Sequence, residues 1–358
     1  MLELTTQNAA AILHSRGHLA DANARVQELS GGVSNAVFLV EHGADRFVVK
    51  QARSRLRVAA DWQCSVERIW REVAVLERYN EILRLSPSGE TPNCLPQILW
   101  TDGELYAYAM TAALPGSRTW KELLLAGAAP AHMASAAGDL LGFFHGHTWH
   151  EPSIAADFRD RTFFAQLRLE PYYLAAADRY PALATPLGDL VDQTWREQHA
   201  LVHGDFSPKN ILVLGGAMLL IDFEVGHYGD PAFDVGFCLT HLVLKAIHLP
   251  EQRVFLLESI HKFWRYYFTT LKFAFLETEL SQIPEVLQAL EQRCIQHLAG
   301  CLVARVFGKS PVDYLSPAEQ LRAVELAELL FGLCEQAAWK DALELIGTAT
   351  VLPGHSSD

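Results

Sequence analysis

The feature that most limits how this chain can fold is a change of pattern at Leu114, Pro115 and Gly116. Before this breaker the apolar residues come in short β-prone runs separated by turn residues, and after it they recur at helical spacing. Residues 1–24 predict a short amphipathic helix. In 25–50, RVQELS, AVFLVE and RFVVK are separated by GGVSN and HGAD, which predicts a three-stranded antiparallel meander. SVERIWREVAVLERYN at 65–80 has helical spacing, with Ile69, Val73 and Leu76 on one stripe, and Pro92 and Pro96 then break the chain. QILWTDGELYAYAM predicts two further strands around a turn at Asp102 and Gly103. Beyond the breaker, HMASAAGDLLGFFHGHTWH is the clearest helix, two short apolar strands fall at 211–214 and 218–222, and several amphipathic helices follow Pro250. The expected fold class is α+β, with a small antiparallel-sheet lobe over 1–112 and a large helical lobe over 113–358.

With 358 residues, half of them hydrophobic, the chain can bury a conventional core. A formal charge of −13 argues against a nucleic-acid backbone or an anionic membrane as partner. The acidity is compatible with a cationic substrate, although solubility is its plainer use. Six cysteines are scattered without a CxxC pair, so neither a disulfide framework nor a zinc site is indicated. The N-terminal segment lacks the basic start and apolar run of a signal peptide, and no apolar stretch is long enough to span a bilayer. Cytoplasm is the expected compartment.

The sharpest chemical signal is HGDFSPKNILV at 203–213 followed by LLIDFE at 219–224. Phosphoryl transfer needs a carboxylate to orient or deprotonate the attacking hydroxyl and metal ligands to bridge phosphate oxygens. Asp205 and Asn210 share a loop on which one can face the nucleophile and the other Mg²⁺, and Asp222 ends an apolar strand from which it can approach the same ion. Hard oxygen donors of this kind suit Mg²⁺ rather than zinc or copper. Singly, an Asp or Asn on a loop is a turn former; the combination with His203 and the intervening strand carries the reading. His203 itself is expected to pin the loop backbone.

This arrangement resembles the aminoglycoside phosphotransferase and choline kinase superfamily, whose catalytic loop has the form HxDxxxxN. The resemblance implies a protein-kinase-like two-lobed fold, ATP and Mg²⁺ as cofactors and a small hydroxyl compound as acceptor. It implies Asp205 as catalytic residue and Asn210 and Asp222 as metal ligands. Gly31, Gly32, Ser34 and Asn35 of SGGVSN lie between two strands, where a loop over ATP phosphates belongs. Lys50 closes the third strand, in the place of a lysine that contacts the α- and β-phosphates. On a helical wheel Glu72 falls within about 60° of the apolar stripe whereas Glu67 falls opposite, so a Lys50–Glu72 pair is expected. Backbone groups at Met110 and Ala112 are expected to meet adenine, and Asp234 to brace the catalytic loop. His145, His147 and His150 fall on different helix faces, which favours packing over metal binding; the same holds for Cys294 with His297.

VVKQARSRLRV, Trp62, RIWREVAVLE and IDFEVGHYGDPAFDVG are similar to segments of the methylthioribose kinases, as is the tail LVARVFGKSPVDY. In that DxE pattern Glu224 would assist the metal or its waters; otherwise it is a solvated residue after a strand. Asn210 stands where that family has Ser, and Arg305 is flanked by Ala304 and Val306 where the family has paired arginines that contact the sugar. The expected function is therefore ATP-dependent phosphorylation of a small-molecule hydroxyl, with a methylthioribose kinase as the alternative acceptor reading. A kinase-fold protein that holds nucleotide without turnover is the alternative from another class. A protein kinase is disfavoured, because HGDFSPKN is not the HRD form and no APE-ended segment follows Asp222.

Overall fold

The structure, a computed structural model, describes residues 2–29, 35–53, 65–85, 94–278, 280–333 and 337–351. Gly31, Gly32, Ser34 and Trp62 lie outside these residues. The chain forms two compact units, one of Met1–Ser117 with Ala217–Val225 and the other of Arg118–Gly216 with Gly226–Asp358. The first unit thus includes Asp222 and Glu224, which a linear division at residue 112 places with the helices.

In chain order the first elements are α1 (Ala9–Ser15), β1 (Arg25–Glu28), β2 (Asn35–His42), β3 (Asp45–Ala52), α2 (Arg68–Leu83), β4 (Ile98–Asp102) and β5 (Ala107–Thr111). Helix α1 takes only part of the stretch expected to be helical. Asp and Asn after it bond local backbone instead, as when Asp21 Oδ1 accepts from the Asn23 N–H at 2.7 Å. The strands form one antiparallel sheet in the order β1-β2-β3-β5-β4.

Alternation along β3 sorts its side chains between two apolar layers. Phe47 and Val49 join Phe38, Val40, Leu4 and Leu13 on the α1 face, whereas Val48 and Ala52 join Ile69, Val73, Tyr108 and Met110 on the α2 face. Lys50 lies in register between Val48 and Ala52, so the pleat turns it toward α2. Glu67 is exposed, while Ile69, Glu72, Val73 and Leu76 of α2 are buried.

The second unit begins with β6 (Arg118–Thr119), α3 (Trp120–Leu125) and α4 (Met133–Thr148), followed by the short helices α5 (Pro152–Phe158) and α6 (Thr162–Phe164). A π-helical segment, Ala165–Leu174, leads into α7 (Ala175–Arg179) and α8 (Ala184–Arg196). Next come β7 (Ala200–Val202), a 3₁₀ turn at Pro208–Asn210, β8 (Ile211–Leu214), the first unit's β9 (Ala217–Leu220) and β10 (His227–Gly229). The remaining helices are α9 (Ala232–His248), α10 (Arg253–Glu277), α11 (Ile283–Phe307), α12 (Pro317–Phe331) and α13 (Trp339–Ala349). Strand β9 ends at Leu220, so Asp222 lies two residues beyond the strand rather than on it.

Helix α4 packs lengthwise on α10, and glycines at every fourth position let the backbones close up. A Cβ at Gly138 would lie 2.3 Å from the Phe263 carbonyl oxygen, and one at Gly142 would lie 2.6 Å from that of Tyr267. A Gly142→Ala variant is expected to lose about 1–3 kcal/mol by overpacking, read as a lower urea midpoint. An unchanged midpoint would contradict the close-packed seam.

Candidate functional site

In the first unit, the buried Lys50 ammonium donates to Glu72 Oε1 at 2.5 Å and to Asp222 Oδ1 at 2.9 Å. The Lys50–Glu72 pair expected from the helical wheel of α2 and from the place of Lys50 on the third strand is thus formed. Glu72 Oε1 also accepts from the Phe223 N–H at 3.2 Å, which ties the backbone beside Asp222 to α2. Burial pushes the Glu72 carboxyl up to about 7 against the pull of Lys50, with Asp222 and Glu224 adding repulsion. Lys50 is held well above its ordinary value, since Asp222 and Glu72 outweigh its burial. Asp222 has a φ of 74°, a left-handed conformation that Asp tolerates better than most side chains, and its side chain is 25% exposed. A partly exposed carboxylate held beside an ammonium is suited to meeting a phosphate-bound cation.

A second network surrounds Glu224. Its Oε2 accepts from Arg68 Nε at 3.2 Å and from Asn35 Nδ2 at 3.1 Å, and Glu224 is 6% exposed. The placement of Glu224 as a solvated residue after a strand therefore does not hold. Arg68 is fully buried and also donates to the Ser65 and Arg53 carbonyls at 2.8 and 2.9 Å. Met110 pairs with Val48 across the sheet and packs in the apolar layer under α2, with Ala112 beside that layer.

In the second unit, the loop after β7 presents Asp205. Gly204 sits at φ 76°, which only glycine adopts without strain, and both its N–H and that of His203 reach the Asp234 carboxylate, at 2.8 and 2.7 Å. Against its complete burial, a hydrogen bond from His145 holds the Asp234 carboxyl below its ordinary value. His145 is fixed in turn by Tyr267 at 3.0 Å, so it serves packing on α4. His203 Nδ1 accepts from the Asp205 N–H at 3.1 Å and pins the loop.

The Asp205 carboxylate is asymmetric in its contacts. Its Oδ2 accepts from Asn210 Nδ2 at 2.7 Å, Lys209 Nζ at 2.8 Å and Arg168 Nη2 at 2.9 Å. Its buried Oδ1 has no partner among the described residues. Arg168 comes from the π-helical segment, whose wide turns often mark functional sites, and its Nε also donates to the Gly204 carbonyl at 2.9 Å. Asn210 Nδ2 binds the Asp205 carbonyl at 2.9 Å, and its amide oxygen accepts no hydrogen bond among the described residues. A carboxylate clamped on one oxygen and open on the other is arranged to receive a hydroxyl.

Comparison with known proteins agrees with this chemistry: the sequence model of the phosphotransferase enzyme family matches residues 25–253. The chain belongs to that family. Among curated relatives, this phosphotransferase is 27% identical over 279 residues to a methylthioribose kinase of Klebsiella pneumoniae, covering 66% of the present chain and 67% of the relative. It is 25% identical over 382 residues to a methylthioribose kinase of Yersinia pseudotuberculosis, covering 92% and 90%. In fold it is similar to a choline/ethanolamine kinase family protein from Mesorhizobium loti, with a TM-score of 0.52 and 16% identity over 96% of this chain and all of the other. Choline kinase from Cryptosporidium parvum gives a TM-score of 0.50 with 13% identity over 97% and 98%. The phosphotransferase is accordingly a small-molecule kinase with the α+β, protein-kinase-like fold.

Sequence reasoning missed two arginines of the phosphotransferase. Arg68 precedes Glu72 by one helical turn, so the wheel that placed Glu72 inward also places Arg68 there. Arg168 gave a weaker signal, a lone cation in the apolar run TFFAQLRL. Among the described residues no single helix is long and apolar enough to cross a membrane.

Proposed function

We propose that the protein transfers the γ-phosphoryl group of ATP to a hydroxyl of a small molecule. The observation that carries this reading is the Asp205 carboxylate, fixed through Oδ2 by three donors while buried Oδ1 has no partner. In this reading Oδ1 accepts the hydrogen bond of the acceptor hydroxyl, aims its lone pair and takes its proton as the new O–P bond forms and the bond from the γ-phosphorus to the bridging oxygen breaks, ADP leaving with that electron pair. Lys50 contacts the nucleotide phosphates, with Glu72 holding its ammonium in place. The Asp222 carboxylate in the first unit and the Asn210 amide oxygen in the second are each hard donors of the kind a divalent cation takes. When bound, Mg²⁺ would supply the charge that offsets the phosphate oxygens. Glu224 acts on this site through Arg68 and Asn35, which it orients. Asn35 and the Gly31, Gly32 and Ser34 segment would cover the phosphates, and backbone groups at Met110 and Ala112 would meet adenine.

A second reading for the acceptor is methylthioribose. It is supported by similarity to methylthioribose kinases along 92% of the chain. A coupled ADP-release assay with Mg²⁺ and a panel of methylthioribose, choline, an aminoglycoside, homoserine and simple hydroxy acids tests both readings. Acceptor-dependent ADP release by at least one compound is expected. Silence across the panel with intact ATP binding would favour a nucleotide-binding protein without turnover.

A further inference from the structure

Close to the catalytic loop, the second unit gathers cations with little compensation. Lys121 of α3 and Lys245 of α9 flank the ring of Tyr314, with their ammonium groups 5.9 and 5.6 Å from its centre. Arg305 of α11 lies 5.7 Å from the ring of Tyr172 and donates to its hydroxyl at 3.3 Å. Arg168, which holds Asp205, lies 5.6 Å from the same ring. One aromatic side chain therefore links the cluster to the catalytic carboxylate. Helix α3, started by a capping box of Thr119 and Glu122, also packs on the Pro208–Asn210 turn.

Lys121, Lys245 and Arg305 have few anionic partners among the described residues, and Arg305 spends one nitrogen on neutral acceptors, the hydroxyls of Tyr172 and of Ser310 at 3.2 Å. Lys245 is completely buried and donates only to the His241 carbonyl, at 3.0 Å, and it forms no ion pair among the described residues. His241 Nε2, Arg305 Nε and the Tyr314 hydroxyl are buried without partners, and His241 is 7% exposed. The neighbouring carboxylates are solvent-exposed or engaged elsewhere. Asp313 is 86% exposed and 3.9 Å from Lys121, and Glu319 is 3.2 Å from His248. Burial, then Arg305, Lys245, Lys209 and Lys121, push His241 well below its ordinary value, and burial followed by Lys121 lowers Lys245 to about 7. A buried ammonium among like charges, with unpartnered polar atoms beside it, is costly unless a bound anion completes the group.

We propose that this cluster binds an anionic group on the phosphoryl acceptor, so that the substrate is a small alcohol carrying a carboxylate or a phosphate. The inference rests on the kinase reading for what occupies the site. It runs against the overall charge of −13, which by itself suits a cationic substrate. Local charge, held by helices α3, α9 and α11, decides recognition where the ligand sits.

The test is calorimetric titration of the full chain, with ADP and Mg²⁺ saturating, by methyl phosphate, acetate and tetramethylammonium as separate probes. At least one anion is expected to bind and tetramethylammonium to give no heat, with the tighter of the two anions identifying phosphate or carboxylate. Lys245→Met should weaken the anion about tenfold or more, as loss of a charge-assisted contact requires. Lys121→Gln, at a partly exposed position that the fold tolerates, should weaken it in the same direction. Absence of anion binding, binding of the cation instead, or anion affinity in both variants unchanged from wild type would overturn the proposal. If the anion binds and depends on Lys245 and Lys121, yet no hydroxylated anion elicits ADP release from ATP, the kinase reading fails and the anion site stands.

Discussion

Replacing Asp205 by Asn lowers acceptor-dependent phosphoryl transfer about a thousandfold, within the range for loss of a general base, while ATP affinity and the unfolding midpoint change little. The substitution keeps the shape of the side chain and removes the charge that Arg168, Lys209 and Asn210 converge upon. Those groups meet one oxygen, so an amide oxygen at Oδ2 can retain part of the contact and hold the loop. What the amide cannot do is take a proton at the position of Oδ1. The separation of rate from binding is the informative part, because a loop that simply misfolded would lose both. Retained turnover at the wild-type rate would remove Asp205 from the chemistry.

The second large effect is expected at Asp222. With a φ of 74°, an alanine there would add backbone strain to the loss of charge, so Asn is the cleaner replacement. Asp222→Asn should reduce the Mg²⁺-dependent part of nucleotide affinity on the order of 100-fold, leaving the weak metal-free affinity in place. Calorimetry with and without Mg²⁺ reads this directly. Equal Mg²⁺ enhancement in wild type and variant would contradict the assignment of Asp222 to the metal. Lys50 sits 2.9 Å from Asp222 and 2.5 Å from Glu72, so the variant also leaves Lys50 with its other carboxylate and should remain folded.

Residue patterns made some of this legible and hid the rest for definite reasons. The 3.6-residue period puts Glu72 on the buried side of α2, and the position of Lys50 near the end of its strand makes it the cation for that carboxylate. The loop around Asp205 was readable because its residues are neighbours in sequence. Arg168 was not, since it reaches Asp205 from a π-helical segment whose register no apolar period announces. Glu224 is ambiguous in sequence because its partners are distant along the chain: Arg68 carries no motif, and Asn35 reads only as part of a phosphate loop. Residues 217–225 group with the first unit, a return that a linear division of the sequence cannot express. The basic cluster was concealed most completely. Lys121, Lys245 and Arg305 come from three separate helices, and the acidic total masks a local excess of the opposite sign.

In the proposed reaction the γ-phosphoryl group of ATP ends on an acceptor hydroxyl, and Asp205 makes this possible. Phosphorus-31 NMR of a reaction containing full-length protein, Mg²⁺, ATP and the acceptor panel tests it most directly. A new phosphate-ester resonance is expected to grow in step with ADP for wild type and to be absent over the same period for Asp205→Asn. ADP accompanied only by inorganic phosphate, or the same ester formed equally fast by the variant, would contradict it.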